Sequence, residues 1–133
     1  MCIRDRFIDD SYNANPDSMK AALLTLAQMS TNGRRIAVLG RMGELGNEAE
    51  RGHRSVGEAA AKLGIDCIIS VGDEAKRIAE EAWRGGVAKV LKTADSDEAV
   101  KALKGIVHSG DLVLVKGSRS ARMERIVEGF AAA

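Results

Sequence analysis

A chain of 133 residues, 45% of them hydrophobic and 29% charged, is the length of one domain and has the composition of an ordinary globular protein. A chain of this size buries roughly two-thirds of its unfolded surface and needs neither disulfides nor a metal to hold a core. Its net charge of +1 gives no field suited to nucleic acid or to an anionic membrane, so partners must be read from local sites.

Residues 1–6, MCIRDR, match neither the strand that follows nor a common start of a domain. They resemble the translated read-through of a sequencing adapter, and on that reading Met1 is not a true start and the chain is the tail of a longer protein. The other reading is a short disordered tail. FIDDSYNANPDSM follows and holds the single proline of the chain. Phe7 and Ile8 close a strand, residues 9–13 turn the chain, and Asn15 caps a helix that starts at Pro16, where a missing N–H costs nothing. Asp17 then lies in the first turn, on the favourable side of the helix dipole. Polar residues at the carboxyl end of a strand, next to a helix N-terminus, are where open α/β sheets bind ligands. The same residues also make a well-capped turn that binds nothing.

Beyond this stretch helices and strands alternate. Met19, Ala22, Leu23, Leu26 and Met29 recur at helical spacing, and Asn32-Gly33 closes that helix ahead of the strand-length run Ile36-Ala37-Val38-Leu39. A glycine-rich loop leads to a helix with Val56, Ala60 and Leu63 on one face, then to Cys67-Ile68-Ile69-Ser70-Val71. Residues 74–84 read as a third helix broken by Gly85-Gly86. Residues 87–91, with Lys89 and Lys92 close by, read as a less buried strand near a sheet edge. Residues 95–107 are a fourth helix, Gly110-Asp111 a turn, Leu112-Val113-Leu114-Val115 a buried strand, and residues 121–130 a last helix with Met123, Ile126, Val127 and Phe130 inward.

Apolar runs separated by helices predict a Rossmann-like three-layer α/β domain over residues 7–130, with a mainly parallel sheet and helices on both faces, and a frayed tail at 131–133. Cys2 and Cys67 have neither metal-ligand spacing nor a disulfide framework, and Cys67 reads as a small core residue, which fits a reducing cytosol. No apolar run approaches the ~18 residues of a membrane span, and no signal peptide is visible, so the chain is expected to be soluble and cytoplasmic.

Two further loops carry chemistry. LGRMGELG, residues 39–46, has glycines at Gly40, Gly43 and Gly46, which is not the G-x-G-x-x-G spacing of a dinucleotide site. Those glycines would let the loop fold over a ligand with Arg41 and Glu44 as polar contacts, or simply make it a flexible connection. His53, in the helix after it, reads as a surface or capping histidine. VKGSRSARMER, residues 115–125, delivers Lys116, Gly117, Ser118 and Arg119 to a helix start, where free N–H groups and the dipole favour a carboxylate or phosphate. Arg119 would hold a carboxylate through two parallel hydrogen bonds, Lys116 would act as a point charge, and Gly117 would give the backbone room to approach. A solvated basic helix start is the competing reading, and this is not a Walker A loop.

DSYNANP after a strand, the LGxMxELG pattern, a following GH, and VKGSR with RME near the end resemble, in that order, the C-terminal domain of the Mur ligases. They are most similar to the branch that adds D-alanyl-D-alanine to UDP-N-acetylmuramoyl-tripeptide. The resemblance covers residues 7–130. It implies a bacterial cytoplasmic enzyme of peptidoglycan precursor synthesis, with a UDP-sugar-binding domain and a central P-loop ATPase domain outside this chain. ATP would phosphorylate the tripeptide carboxylate with Mg²⁺ held by those other domains, and the dipeptide amine would attack the acyl phosphate. The third domain would close over ATP and position the dipeptide.

Carried over by motif, Asp10, Asn13 and Asn15 are the nucleotide-binding residues, with Asp10 the partner of the ATP ribose and Tyr12 packed nearby. Lys116, Ser118 and Arg119 are the substrate-binding residues. The resemblance implies no catalytic residue and no metal ligand within these residues, and hence no ligase activity from the chain alone. One departure stands out: the family usually has an acidic residue where this chain has Arg41, so Arg41 is given no role. Two other readings are the C-terminal domain of another ligase of the superfamily, such as a folate or cyanophycin type, and a free-standing nucleotide-binding α/β module.

Overall fold

The computed structural model describes residues 2–4, 7–9, 14–43, 45–118 and 123–131, the side chains of 2–4, 7–9, 124 and 129–131 excepted. In chain order the elements are β1 (Cys2–Arg4), β2 (Phe7–Asp9), α1 (Pro16–Gln28), β3 (Arg35–Gly40), a 3-10 turn (Gly46–Glu48), α2 (Ala49–Lys62), β4 (Cys67–Val71), α3 (Lys76–Arg84), β5 (Lys89–Thr93), α4 (Ser96–Ile106), β6 (Leu112–Lys116) and α5 (Glu124–Ala131). One sheet holds the strands in the order β1-β2-β6-β3-β4-β5. Every neighbouring pair is parallel except β1 and β2.

Strand alternation divides the core into two layers. Ala37, Leu39, Ile68, Leu112 and Leu114 face Met19, Leu23 and Leu26 of α1, Val56 and Ala60 of α2, and Ile78 and Ala82 of α3. Ile36, Val38, Ile69, Val113 and Val115 face Ala99, Leu103 and Ile106 of α4, and Ile126 and Val127 of α5. Helices thus cover both faces, as continuous apolar strands require. Cys67 belongs to the second layer, is fully buried, and burial pushes its thiol pKa up to about 11.

The amino ends of the strands are clamped by ions. The Asp111 carboxylate, 3% exposed, accepts hydrogen bonds from the Arg34 backbone N–H at 2.8 Å, the His108 N–H at 2.8 Å and Arg34 Nη2 at 3.1 Å. The Arg35 side chain caps the end of α1, its Nε donating to the Leu26 carbonyl at 3.0 Å and its Nη2 to that of Met29. A cation there opposes the negative end of the helix dipole.

Three boundaries depart from the sequence expectation. Cys2–Arg4 form a strand, Ile3 opposite Ile8, inside a charge-rich stretch that carries no apolar run. Pairing there covers what would be the open edge of β2. β5 begins at Lys89 rather than at residue 87, because Val87 is buried in the preceding turn and its N–H donates to the Ala82 carbonyl at 3.0 Å. It lies at the sheet edge as expected, with Lys89 and Lys92 exposed. α5 starts at Glu124, three residues later than the pattern predicts.

Candidate functional site

The strand order gives the site its place. α1 and α2, which follow β2 and β3, pack on the first face of the sheet, whereas α5, which follows β6, packs on the second. β6 lies between β2 and β3. The chain therefore leaves β6 in the direction opposite to both of its neighbours, and a crevice opens outside the carboxyl ends at such a switch point. The three loops that the motifs single out are the ones that emerge there.

The loops are joined to one another. The Ser118 N–H donates to the Arg41 carbonyl at 2.8 Å, which ties the loop after β6 to the loop after β3. A Cβ on Gly117 would lie 2.6 Å from Met123 Cγ, 3.0 Å from Gly40 Cα and 3.1 Å from Gly40 N. The space left by the missing side chain is thus filled by the protein's own backbone and by Met123. This corrects the expectation that Gly117 gives the backbone room to approach a guest. Pro16, at the start of α1, and Leu45 meet over Gly52 of α2, where an added Cβ would lie 3.2 Å from Pro16 Cγ and 2.9 Å from Leu45 Cδ1.

Asn15 caps α1 as its position predicts. Its Oδ1 accepts from the Ser18 N–H at 2.8 Å, and the Ser18 hydroxyl accepts from the Asn15 N–H at 3.0 Å, a reciprocal capping box. The residue is exposed. Lys116 ends β6 at only 2% exposure, opposite Leu39 of β3. It is an enclosed ammonium within the loop cluster, and burial of such a group demands polar partners. Ser118 is half-buried. Its N–H is committed to Arg41, and α5 begins at Glu124, so the expected free N–H groups of a helix start are not what the Lys116–Gly117–Ser118 backbone presents. Asp10, Asn13 and Arg119, with Tyr12 and Glu44, lie outside the described residues.

Sequence reasoning misplaced His53 and left Arg41 without a role. His53 is fully buried, not on the surface. Its Nε2 accepts the Met42 N–H at 3.0 Å and its Nδ1 lies 2.6 Å from the Ala49 carbonyl. The signal was the GH pair itself: Gly52 lets α2 approach Pro16 and Leu45, and the residue after it is carried under the loop. Arg41 Nε lies 3.3 Å from Glu74 Oε2 in the turn ahead of α3, so the loop after β3 is bridged to the loop after β4 as well. Among the described residues there is no cluster of three or more His, Cys, Asp or Glu side chains that would hold a metal, and no helix is long and apolar enough to cross a membrane.

Comparisons with known proteins agree with this geometry. The UDP-N-acetylmuramoyl-tripeptide--D-alanyl-D-alanine ligase of Escherichia coli K12 is 44% identical over 125 residues, which are 92% of this chain and 26% of that enzyme. A crystal structure of MurF from Acinetobacter baumannii superposes with a TM-score of 0.85 at 29% identity, covering 99% of this chain and 30% of that one. MurF ligase from Thermotoga maritima, solved in complex with ADP, superposes with a TM-score of 0.75 at 29% identity, covering 97% of this chain and 29% of that one. The chain thus spans about a quarter of the length of the curated relatives it matches. A family model described as "Mur ligase, glutamate ligase domain" matches residues 3–119, and the chain belongs to that family.

Proposed function

We propose that the chain acts as the C-terminal domain of the ATP-dependent ligase that adds D-alanyl-D-alanine to UDP-N-acetylmuramoyl-tripeptide, closing over ATP and positioning the dipeptide in the cytoplasm. The observation that carries this reading is the convergence of the three motif loops at one switch point, with Ser118 bonded to Arg41 across it. The ligase branch is supported by curated relatives from Escherichia coli, Mycobacterium tuberculosis, Bacillus subtilis and Treponema pallidum, each a ligase of that specificity. Within it, Asp10, Asn13 and Asn15 face the nucleotide, and Lys116, Ser118 and Arg119 face the dipeptide. ATP phosphorylates the tripeptide carboxylate on other domains, where Mg²⁺ is held. The work of this domain is to exclude water from the acyl phosphate and to hold the incoming amine in line with it.

A chimera in which this chain replaces the matching quarter of the E. coli relative tests the proposal. It is expected to form the D-alanyl-D-alanine adduct with ATP hydrolysis coupled to it. Lys116→Met in that chimera should raise the dipeptide KM by about tenfold, the loss of one charge-assisted contact, with the ATP KM unchanged. A chimera that folds and ligates another amino acid instead would move the chain to a different branch, and an unaltered dipeptide KM in Lys116→Met would remove Lys116 from the substrate side.

A further inference from the structure

The Arg41–Met42 peptide has both of its polar groups engaged by residues distant in sequence. Its carbonyl accepts the Ser118 N–H at 2.8 Å, and its N–H donates to His53 Nε2 at 3.0 Å. On the far side of the imidazole, Nδ1 meets the Ala49 carbonyl at 2.6 Å. A backbone N–H can only donate and a carbonyl can only accept, so the two partners dictate one state of the ring: neutral, with its proton on Nδ1. His53 is 0% exposed and Met42 1%, so water does not substitute for either bond. The result is an unbroken line of hydrogen bonds from Ser118, through one peptide unit and one imidazole, to the first turn of α2. Bonds in such a line polarise one another in the same direction.

We propose that His53 is a positioning residue: as the neutral Nδ1–H tautomer it fixes the Arg41–Met42 peptide, and through that peptide it sets where the loop after β6 stands relative to the loop after β3. The helix holding His53 is itself seated by Pro16 and Leu45 on Gly52, so the imidazole transmits the position of the α1 start to Ser118. This deepens the proposed function, on which it rests only in naming these loops the substrate side. A side chain of equal bulk without an acceptor would fill the core and still leave the Met42 N–H buried and unbonded, at the cost of the loop position rather than of the fold.

The chain itself, labelled with ¹⁵N, provides the test. A scalar coupling across the hydrogen bond between the Met42 amide nitrogen and His53 Nε2 is expected, together with the ¹⁵N signature of an unprotonated Nε2. In His53→Leu the exchange protection of the Ser118 amide should fall about tenfold further than that of Leu114 in β6. His53→Gln, whose carbonyl oxygen can take the Met42 N–H, should recover most of that protection. Val56→Ala, a core truncation on the same helix, should lower both amides together. Absence of the coupling, a protonated Nε2 at neutral pH, or parallel loss at Ser118 and Leu114 in His53→Leu would overturn the proposal. If His53→Leu does not fold, the wild-type coupling and the Gln variant still decide. None of these readouts uses ligase activity, so failure of the chimera leaves this inference standing, and absence of the coupling leaves the proposed function standing.

Discussion

Gly57→Ala is expected to destabilise the chain by about 3 kcal/mol, or roughly 10 °C in Tm, although alanine is the better helix former. Gly57 lies in the middle of α2, where the helix crosses α3. An added Cβ would stand 2.2 Å from the Ile78 carbonyl oxygen, 3.0 Å from the Ala82 nitrogen and 3.0 Å from Glu81 Cβ. Two of those neighbours are backbone, so neither can rotate away and the helices must part. The gain of about 1 kcal/mol in propensity does not offset that. Parting would also stretch the ion pairs that cross the same seam, Arg54 with Glu80 at 3.4 Å and Glu81 at 3.3 Å, and Arg77 with Glu50 at 3.1 Å. These are half-exposed and individually weak, so they set register more than they stabilise. Urea unfolding followed by circular dichroism measures the effect. A midpoint within experimental error of the wild type would mean that α2 and α3 do not cross as closely as described.

Asp111→Asn is expected to cost about 2–3 kcal/mol and to remove one component of the acid sensitivity of the fold. The carboxylate accepts from two backbone N–H groups and the Arg34 guanidinium, all donors, with both of its oxygens engaged. An amide has one acceptor oxygen, so in either orientation its NH₂ faces a donor. Burial alone raises the Asp111 pKa, but the Arg34 and His108 N–H groups and the Arg34 charge outweigh it and hold the carboxyl below the ordinary aspartate value. A depressed pKa means that the unfolded chain takes up the proton first. The stabilisation is therefore fully present above the unfolded value of about 3.9 and is lost as the pH falls through the lower folded value. In Asp111→Asn the decline of stability over that acid window should be shallower than in the wild type, with the deficit largest at neutral pH. Equal slopes in the two proteins would show that Asp111 does not titrate differently in the folded state.

How much of this was legible in the sequence depends on what each residue does locally. The runs at residues 36–39 and 112–115 are apolar throughout, and 67–71 is interrupted only by the buried Ser70, so all three name buried parallel strands. Asn15-Pro16 marks a helix start through chemistry confined to neighbouring residues, and its capping box is found as read. Strand order is another matter. Nothing local tells that β6 inserts between β2 and β3, since that placement is decided by which strands share a core layer after α4 crosses the sheet. The switch point depends on this insertion, and the sequence could nominate the loops but not show that those after β3 and β6 adjoin. Short or mixed-polarity strands were the other loss. Cys2–Arg4 and the start of β5 are held by backbone pairing with a neighbour, which leaves little trace in side-chain pattern.

His53 was misjudged for a related reason. A lone histidine in a charged helix of alternating polarity reads as solvent-facing, and only the approach of Leu45 and Pro16 over the preceding glycine, with the Met42 N–H against its ring, turns its position inward. The space beside Gly117 is taken by Met123 and by Gly40 of β3, and local sequence does not show that β3 adjoins this loop. In both cases the decisive partner comes from a different loop of the cluster.

The buried thiol of Cys67 has a kinetic consequence. It lies at the first position of β4, between Ile36 and Lys89, under the layer that α4 and α5 form. With its ionisation pushed up to about 11, the folded chain offers an alkylating reagent neither access nor thiolate at neutral pH. In a background where Cys2 is replaced by serine, covalent modification then proceeds only as fast as that layer lifts away. The cysteine serves as a stopwatch for opening of the second face, independent of the loop cluster at the other end of the strands.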